Sequence, residues 1–369
     1  MATQSEIDPG TLRAWLDEGK DVDVIDIRPE ADYQSWHIPG SKNIDVYNSI
    51  KFGQAGALAD YQPLNRNPVV AVCYVGQTSK AVVSYLRSRD IEAMSLTGGM
   101  QWWSLAWNLA EVPLMKSTAK VIQIRRTGKG CLSYLVGSGN QAVVIDPSVD
   151  PELYVELAGQ NGWQITSIID THVHADHLSR GRLLAVQTGA KHYLPEQERT
   201  KFEHPSLKKG DVIEFGDSLL KVMHTPGHTF EAISLLLDDE ALFTGDTLFT
   251  NSVGRPDLKA SPQESEQRAR ALYNSLQQLS ELPQDTLILA CHTSQPIPFD
   301  RQAIVATLGE AVENVEILKS SEDDFVTWVL GRIPPTPPNH LYVVQFNEMG
   351  VWPEGDPTQL EAGGNNCAV

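Results

Sequence analysis

The chain has little cysteine. Four residues in 369, Cys73, Cys131, Cys291 and Cys367, stand far apart with no CxxC pair. This excludes a disulfide-scaffolded domain and favours a reducing compartment. Positive charge is also scarce: 29 Lys and Arg face 47 Asp and Glu, for a formal net charge of −18 and a pI near 4.9. Such a surface excludes nucleic acid and anionic membranes as partners. No apolar run approaches a membrane span, and residues 1–10 carry no apolar signal core, so the expected location is cytoplasmic. Internal repeats and low-complexity tracts are lacking. The proline-rich stretch 332–338 reads as an extended surface strap. What remains is an ordinary globular chain long enough for two or three domains.

The most informative stretch is 171–177, Thr-His-Val-His-Ala-Asp-His, directly after the apolar run 165–169. The run reads as a buried strand, so His172, His174, Asp176 and His177 sit where a strand ends and a loop opens. Three later segments repeat that arrangement: Gly227-His228-Thr229 on a Pro-Gly turn, Gly245-Asp246-Thr247, and Cys291-His292 after the run 286–290. Histidines and carboxylates at four strand ends can converge on one edge of a sheet sandwich and hold one metal ion or two.

The N-terminal third has a different rhythm. Asp8-Pro9 predicts an N-cap and first helical residue. Strands at 22–27, 69–72 and 94–96 alternate with helices at 79–89 and after Gly98-Gly99, which implies a parallel, doubly wound sheet. The strand 69–72 delivers Cys73 into the loop Tyr74-Val75-Gly76-Gln77-Thr78 at a helix N-terminus, where backbone N–H groups stabilise a thiolate. Further on, a hairpin at 132–145, helices at 151–159, 182–188, 263–280 and 303–310, and the strands between them predict an αββα sandwich.

Two resemblances follow from these motifs. Asp26-x-Arg28, His37-Ile-Pro-Gly-Ser-x-Asn43, Cys73 at a strand end and Gly98-Gly99 before Trp102 resemble a rhodanese (sulfurtransferase) domain over 7–113. That resemblance makes Cys73 the sulfur carrier and 74–78 its active loop. Thr78 stands where many members carry arginine, which counts against thiosulfate as the donor. The ordered set HxHxDH, GHT, GD and a last His resembles the metallo-β-lactamase fold superfamily over 120–369, with 114–119 as linker and residues 1–113 as the first domain.

Within that superfamily two members compare. Glyoxalase II implies two metals, such as zinc, on all seven ligands and hydrolysis of a glutathione thioester. Persulfide dioxygenase implies one Fe(II) at His172, His228 and Asp246. There His174, Asp176, His177 and His292 are retained around the iron without holding a second metal. Gly254-Arg255-Pro256-Asp257 resembles the GRxD segment of persulfide dioxygenases, whose arginine supports the substrate pocket, and Cys367 resembles a cysteine that closes it. A rhodanese fused to a persulfide-oxidising domain also has chemical logic. The reading is therefore iron-dependent oxidation of a thiol persulfide such as glutathione persulfide by O2 to sulfite, with sulfur transfer through Cys73, and thiosulfate or sulfite as further partners. Thr293-Ser294 stands where that family often has Asp-Tyr, which leaves room for another low-molecular-weight thiol. Oligomeric state is left open.

Overall fold

Val69–Val72 shows how the first sheet is built. Val70 and Val72 pack on one face with Val24, Leu96 and Trp103, while Val69, Ala71 and Cys73 pack on the other with Val82, Val83 and Leu86. This is the two-residue period of a strand buried on both sides, as parallel sheets require. The computed structural model describes residues 5–369; residues 1–4, expected at the polar start of the first domain, lie outside the described residues. Five parallel strands run in the order Glu6–Ile7, Ala93–Leu96, Val69–Val72, Asp23–Asp26, Lys42–Asn43. The helix Pro9–Asp17 starts where predicted, with the Asp8 carboxylate accepting from Thr11 N–H at 2.9 Å. Cys73 ends its strand on the face covered by the helix Thr78–Arg87.

The remainder is a four-layer αββα sandwich. A seven-stranded sheet orders Ser206–Leu207, Lys191–Pro195, Gln164–Ile169, Gln141–Ile145, Cys131–Ser138, Lys120–Arg126 and Asn108–Val112. A six-stranded sheet orders Val212–Phe215, Ser218–His224, Ile233–Leu237, Ala241–Gly245, Leu287–Ala290 and Ala306–Thr307. Tyr134, Val136, Val143 and Ile169 of the first meet Phe215, Leu220, Leu235 and Phe243 of the second in the central core. Each such side chain contributes about 1.5–3 kcal/mol by leaving water. The outer faces carry Pro151–Gln160 and Gly181–Thr188 on one side, and Pro262–Ser280, Leu308–Asn314 and Glu322–Leu330 on the other.

Two expectations need correction. Asn108–Val112, assigned to the first domain, is the edge strand of the seven-stranded sheet, paired antiparallel from Asn108↔Arg125 to Val112↔Val121. The boundary therefore precedes it, and 114–119 is the turn of a hairpin. That turn is clamped: the N–H groups of Met115, Lys116 and Ser117 all donate to the Glu240 carboxylate. The helix expected at 303–310 begins only at Leu308, because Thr307 and Glu310 form a capping box at that point and Ala306–Thr307 is a strand.

The two units interlock. Gly128 N–H donates to Ala106 O at 3.0 Å, and a Cβ on Gly128 would stand 1.8 Å from Trp103 O. The C-terminal helix Thr358–Glu361 bridges them: Gln101 donates to Thr358 Oγ1 at 3.2 Å, and the fully buried Glu361 pairs with Arg126 and Arg180. Among the described residues no helix is long and apolar enough to cross a membrane.

Candidate metal centre

Strand ends deliver the site. Gln164–Ile169 leads into 171–177, Ala241–Gly245 into Asp246, and Leu287–Ala290 into His292. His228 comes from the turn after Ser218–His224, and the N–H of Ile233 donating to Thr171 O ties that region to the first loop. All seven candidate ligands are buried.

His172, His228 and Asp246 converge. The Nε2 atoms of His172 and His228 lie 3.6 and 3.4 Å from Asp246 Oδ2. Each imidazole is fixed by its other nitrogen. His228 Nδ1–H donates to Arg255 O at 2.7 Å. His172 Nδ1–H donates to Thr171 Oγ1 at 3.0 Å, since the Thr171 proton goes to Asp146 Oδ2 at 3.0 Å. Nε2 of His172 and Oδ2 of Asp246 have no hydrogen-bond partner although they are buried. Orphaned buried acceptors are costly unless something binds them. Their spacing suits donors about 2.0–2.2 Å from one shared cation. Burial pushes both imidazoles below their usual pKa, for His172 helped by His174, so both are neutral and free to offer Nε2 to a cation. Burial would raise the Asp246 carboxyl, but His292 and His228 outweigh it and keep it ionised.

The other four candidates make contacts of their own, and two of them also group with members of the trio: His174 with His172, and His292 with Asp246. His174 turns Nε2 away, 3.1 Å from Asp146 Oδ1 and 3.7 Å from Asp170 Oδ1. Against its burial, those two carboxylates hold it well above the usual histidine range. His292 stands between two carboxylates, with Nδ1 2.5 Å from Asp246 Oδ1 and Nε2 2.9 Å from Asp176 Oδ2. His177 Nδ1 lies 3.0 Å from Asp176 Oδ1.

Arg255 is fully buried. It grips Asp257 at 2.8 and 2.9 Å and the carbonyls of Pro335 and Asn366 at 3.1 and 3.0 Å. Its N–H donates to Cys367 O at 2.9 Å, so it anchors the C-terminal tail and does not line the cavity beside His172. Cys367 is buried with its thiol grouped near Asp246 and His292; burial and then Asp246 push that thiol well up.

Cys73 is 1% exposed, its Sγ 3.4 Å from Ser79 Oγ, which lies 2.7 Å from Ser95 Oγ. Its loop is held from beneath, with Met100 N–H on Cys73 O and Gln101 N–H on Tyr74 O, both at 2.9 Å. Tyr74 and Val75 are exposed, Gly76 takes φ 75°, Gln77 precedes the helix and Thr78 begins it.

Sequence reasoning missed Thr171, Asp146 and Asp170 as positioning groups, and Cys131 and Cys291 as neighbours of the ligands. Cys291 Sγ is 3.0 Å from Asp246 Oδ1. Cys131 Sγ is 3.4 Å from Asp176 Oδ2, and although burial and Asp176 raise its thiol, His177 and His292 bring it down to about 6. The one available signal was Asp146, which ends a strand as Asp170 does. A cavity of about 210 Å³ runs to His172 and His174 past Arg182, Phe202 and Trp352.

Comparison with known proteins agrees with this architecture. The family described as "Metallo-beta-lactamase superfamily" matches residues 126–292, and "Rhodanese-like domain" matches 8–106. A hydroxyacylglutathione hydrolase of Maricaulis maris is 35% identical over 166 residues, 44% of this chain and 61% of that protein. The chain thus spans about three-fifths of the length of the first such relatives. One of Nitrosococcus oceani is 31% identical over 209 residues, covering 55% of this chain and 71% of that protein. The crystal structure of ETHE1 from Myxococcus xanthus superposes with a TM-score of 0.54 at 27% identity, covering 62% of this chain and 97% of that one.

Proposed function

We propose that this chain, which belongs to the metallo-beta-lactamase superfamily and carries a rhodanese-like domain, oxidises a thiol persulfide with O2 and moves sulfane sulfur through Cys73. The observation that carries the reading is the convergence of His172 Nε2, His228 Nε2 and Asp246 Oδ2. Two histidines and one carboxylate with open positions suit non-haem Fe(II). When bound there, ferrous iron supplies the redox centre at which O2 and the persulfide react. The balance is RSSH + O2 + H2O → RSH + sulfite + 2 H⁺, with the outer sulfur oxidised and O2 reduced.

The chain's own residues prepare this chemistry. Arg255 O and Thr171 Oγ1 hold the two imidazoles in the tautomer that presents Nε2. His174, kept cationic by Asp146 and Asp170, retains a proton at Nε2 and sets a positive charge beside the trio. Arg255 and Cys367 close the C-terminal tail over the site and exclude water. We assign the cavity ending on His172 and His174 as the reactants' approach, with Arg182 offering a cation to a carboxylate of the thiol. The relatives' names favour glutathione as that thiol.

At Cys73, thiolate attack on the outer sulfur of RSSH releases RSH and leaves a cysteine persulfide. Attack by sulfite on that persulfide returns thiosulfate and the thiolate. The deciding experiment is oxygen uptake by iron-loaded protein given glutathione persulfide, with sulfite assayed; uptake matched to sulfite supports the reading, and none with iron verified overturns it.

The relatives' names also favour a second reading, hydrolysis of a glutathione thioester, which the glyoxalase II resemblance pairs with two zinc ions. In it Asp246 is shared between two metals and meets His292, 2.5 Å from its Oδ1, at the second one. Turnover of S-lactoylglutathione by zinc-loaded protein, without oxygen uptake, is the result that would select it.

A further inference from the structure

Arg268, on the helix Pro262–Ser280, is only 8% exposed, yet among the described residues no carboxylate pairs with it. Its Nη1 donates to Leu258 O at 2.9 Å, its Nε is buried without a partner, and its guanidinium stands 5.2 Å from the centre of the Phe230 ring. A buried arginine is ordinarily paired, because an uncompensated charge away from water is costly. The neighbouring charges do not supply the missing partner, since they balance among themselves. Arg199 pairs with Glu231 at 2.7 Å and with Glu348 at 3.0 Å, and Lys259 closes on Glu348 at 2.8 Å. Arg268 is the surplus cation. It lines a cavity of about 300 Å³ together with Phe230, which is exposed despite being aromatic. Gln197 lines the same cavity, and both its amide nitrogen and its amide oxygen are buried without partners. Glu198, exposed and also lining it, has no ion pair among the described residues. This cavity shares no lining residue with the one that ends on His172 and His174.

We infer that this cavity binds an α-amino carboxylate, either a free amino acid or the same group at the end of a peptide. The unpaired guanidinium requires an anion, and its planar fork of N–H donors matches a carboxylate. The Gln197 amide adds a further donor for that carboxylate and an acceptor for an ammonium. Glu198 gives the ammonium its counter-charge, and Phe230 packs against an apolar side chain. An inorganic anion would satisfy Arg268 but would leave the Gln197 oxygen without a donor and stand near the Glu198 carboxylate. The wall of the cavity is tied to the metal loop: Glu231 Oε1, which holds Arg199, also accepts the Val173 N–H at 3.4 Å, between His172 and His174. The site itself needs neither metal nor oxygen, so it stands apart from the reaction proposed above.

The test is calorimetric titration of the full-length protein with L-methionine, L-methioninamide and S-methylglutathione. L-Methionine is expected to bind saturably, and its amide, which lacks the carboxylate, about 10–100-fold more weakly. Arg268→Lys keeps the charge but loses the fork, and should weaken L-methionine by a similar factor; Arg182→Met, in the other cavity, should leave it unchanged. S-Methylglutathione carries the same α-amino carboxylate on a peptide. If it binds more tightly than L-methionine and depends equally on Arg268, the site serves peptides; if it binds more weakly, the site serves free amino acids. Should Arg268→Lys fail to fold, Gln197→Met and the comparison of acid with amide on the wild type decide. Absence of binding by both carboxylate ligands, equal affinity for acid and amide, or binding that survives Arg268→Lys but not Arg182→Met overturns the inference. Oxygen uptake enters none of these readouts, so failure of the dioxygenase reading leaves this result intact.

Discussion

His292 Nδ1 lies 2.5 Å from Asp246 Oδ1, the carboxylate oxygen opposite the one that His172 and His228 approach. One carboxylate oxygen faces His292 and the other faces His172 and His228, the arrangement the proposed single-ion reading requires. His172→Ala removes a ligand, and oxygen uptake with persulfide is expected to fall at least about 100-fold. His292→Ala removes only the partner of a ligand, with an expected loss of about 10–100-fold in iron affinity. Iron titration of both variants separates the cases; equal loss would show that His292 is a direct ligand.

Thr171 acts through its neighbours. Its hydroxyl accepts from His172 Nδ1–H and donates to Asp146. Thr171→Val keeps the shape but frees the ring and its tautomer. Iron affinity should fall about 10–100-fold, and Thr171→Ser should restore most of it. Unchanged affinity in the valine variant would remove Thr171 from the positioning scheme.

Cys73→Ser is expected to abolish sulfur transfer from glutathione persulfide to sulfite while sparing oxygen uptake. Cys73 lies in the first sheet and none of the grouped metal donors includes it. Thiosulfate formation and oxygen uptake, assayed on the same preparation, check this; loss of both would mean that the oxidation draws its persulfide from Cys73.

Glu361 is the buried joint between the units. Its carboxylate meets Arg126 and Arg180 and accepts the Leu178 N–H at 2.7 Å, next to the metal loop. Glu361→Gln leaves two buried guanidiniums without their counter-charge, at an expected cost of about 3 kcal/mol, read from the denaturant midpoint.

The same group sets a pH dependence. Burial would raise the Glu361 carboxyl, but the two guanidiniums outweigh it and hold it well below its ordinary 4.5. A folded pKa below the unfolded one gives stability that is complete above pH 4.5 and declines as the pH falls below it. The gap between wild type and Glu361→Gln should therefore be constant near neutrality and narrow below that pH. A gap that widens on acidification would contradict the ion-pair account.

Much of the architecture was legible because it is local. Asp8 and Pro9 start a helix by capping chemistry, and the apolar runs before Cys73, His172 and His292 are strands because their periodicity says so. The domain boundary was not legible. Asn108–Val112 alternates like any half-buried strand, and only its partner Lys120–Arg126 assigns it to the second sheet.

By itself the sequence determined which side chains stand at strand ends, and so the identity and order of the ligand candidates, since strand, turn and helix signals act over a few residues. Only the tertiary structure decided how they divide. Cys131 meets His292 through pairing across two sheets, Asp146 orders His174 and Thr171 from a neighbouring strand, and Glu361 reaches back to Arg126 and Leu178. These contacts join residues 25 to 235 positions apart. No local pattern records them, because which nitrogen or oxygen faces a cation depends on the hydrogen bond made by the other one.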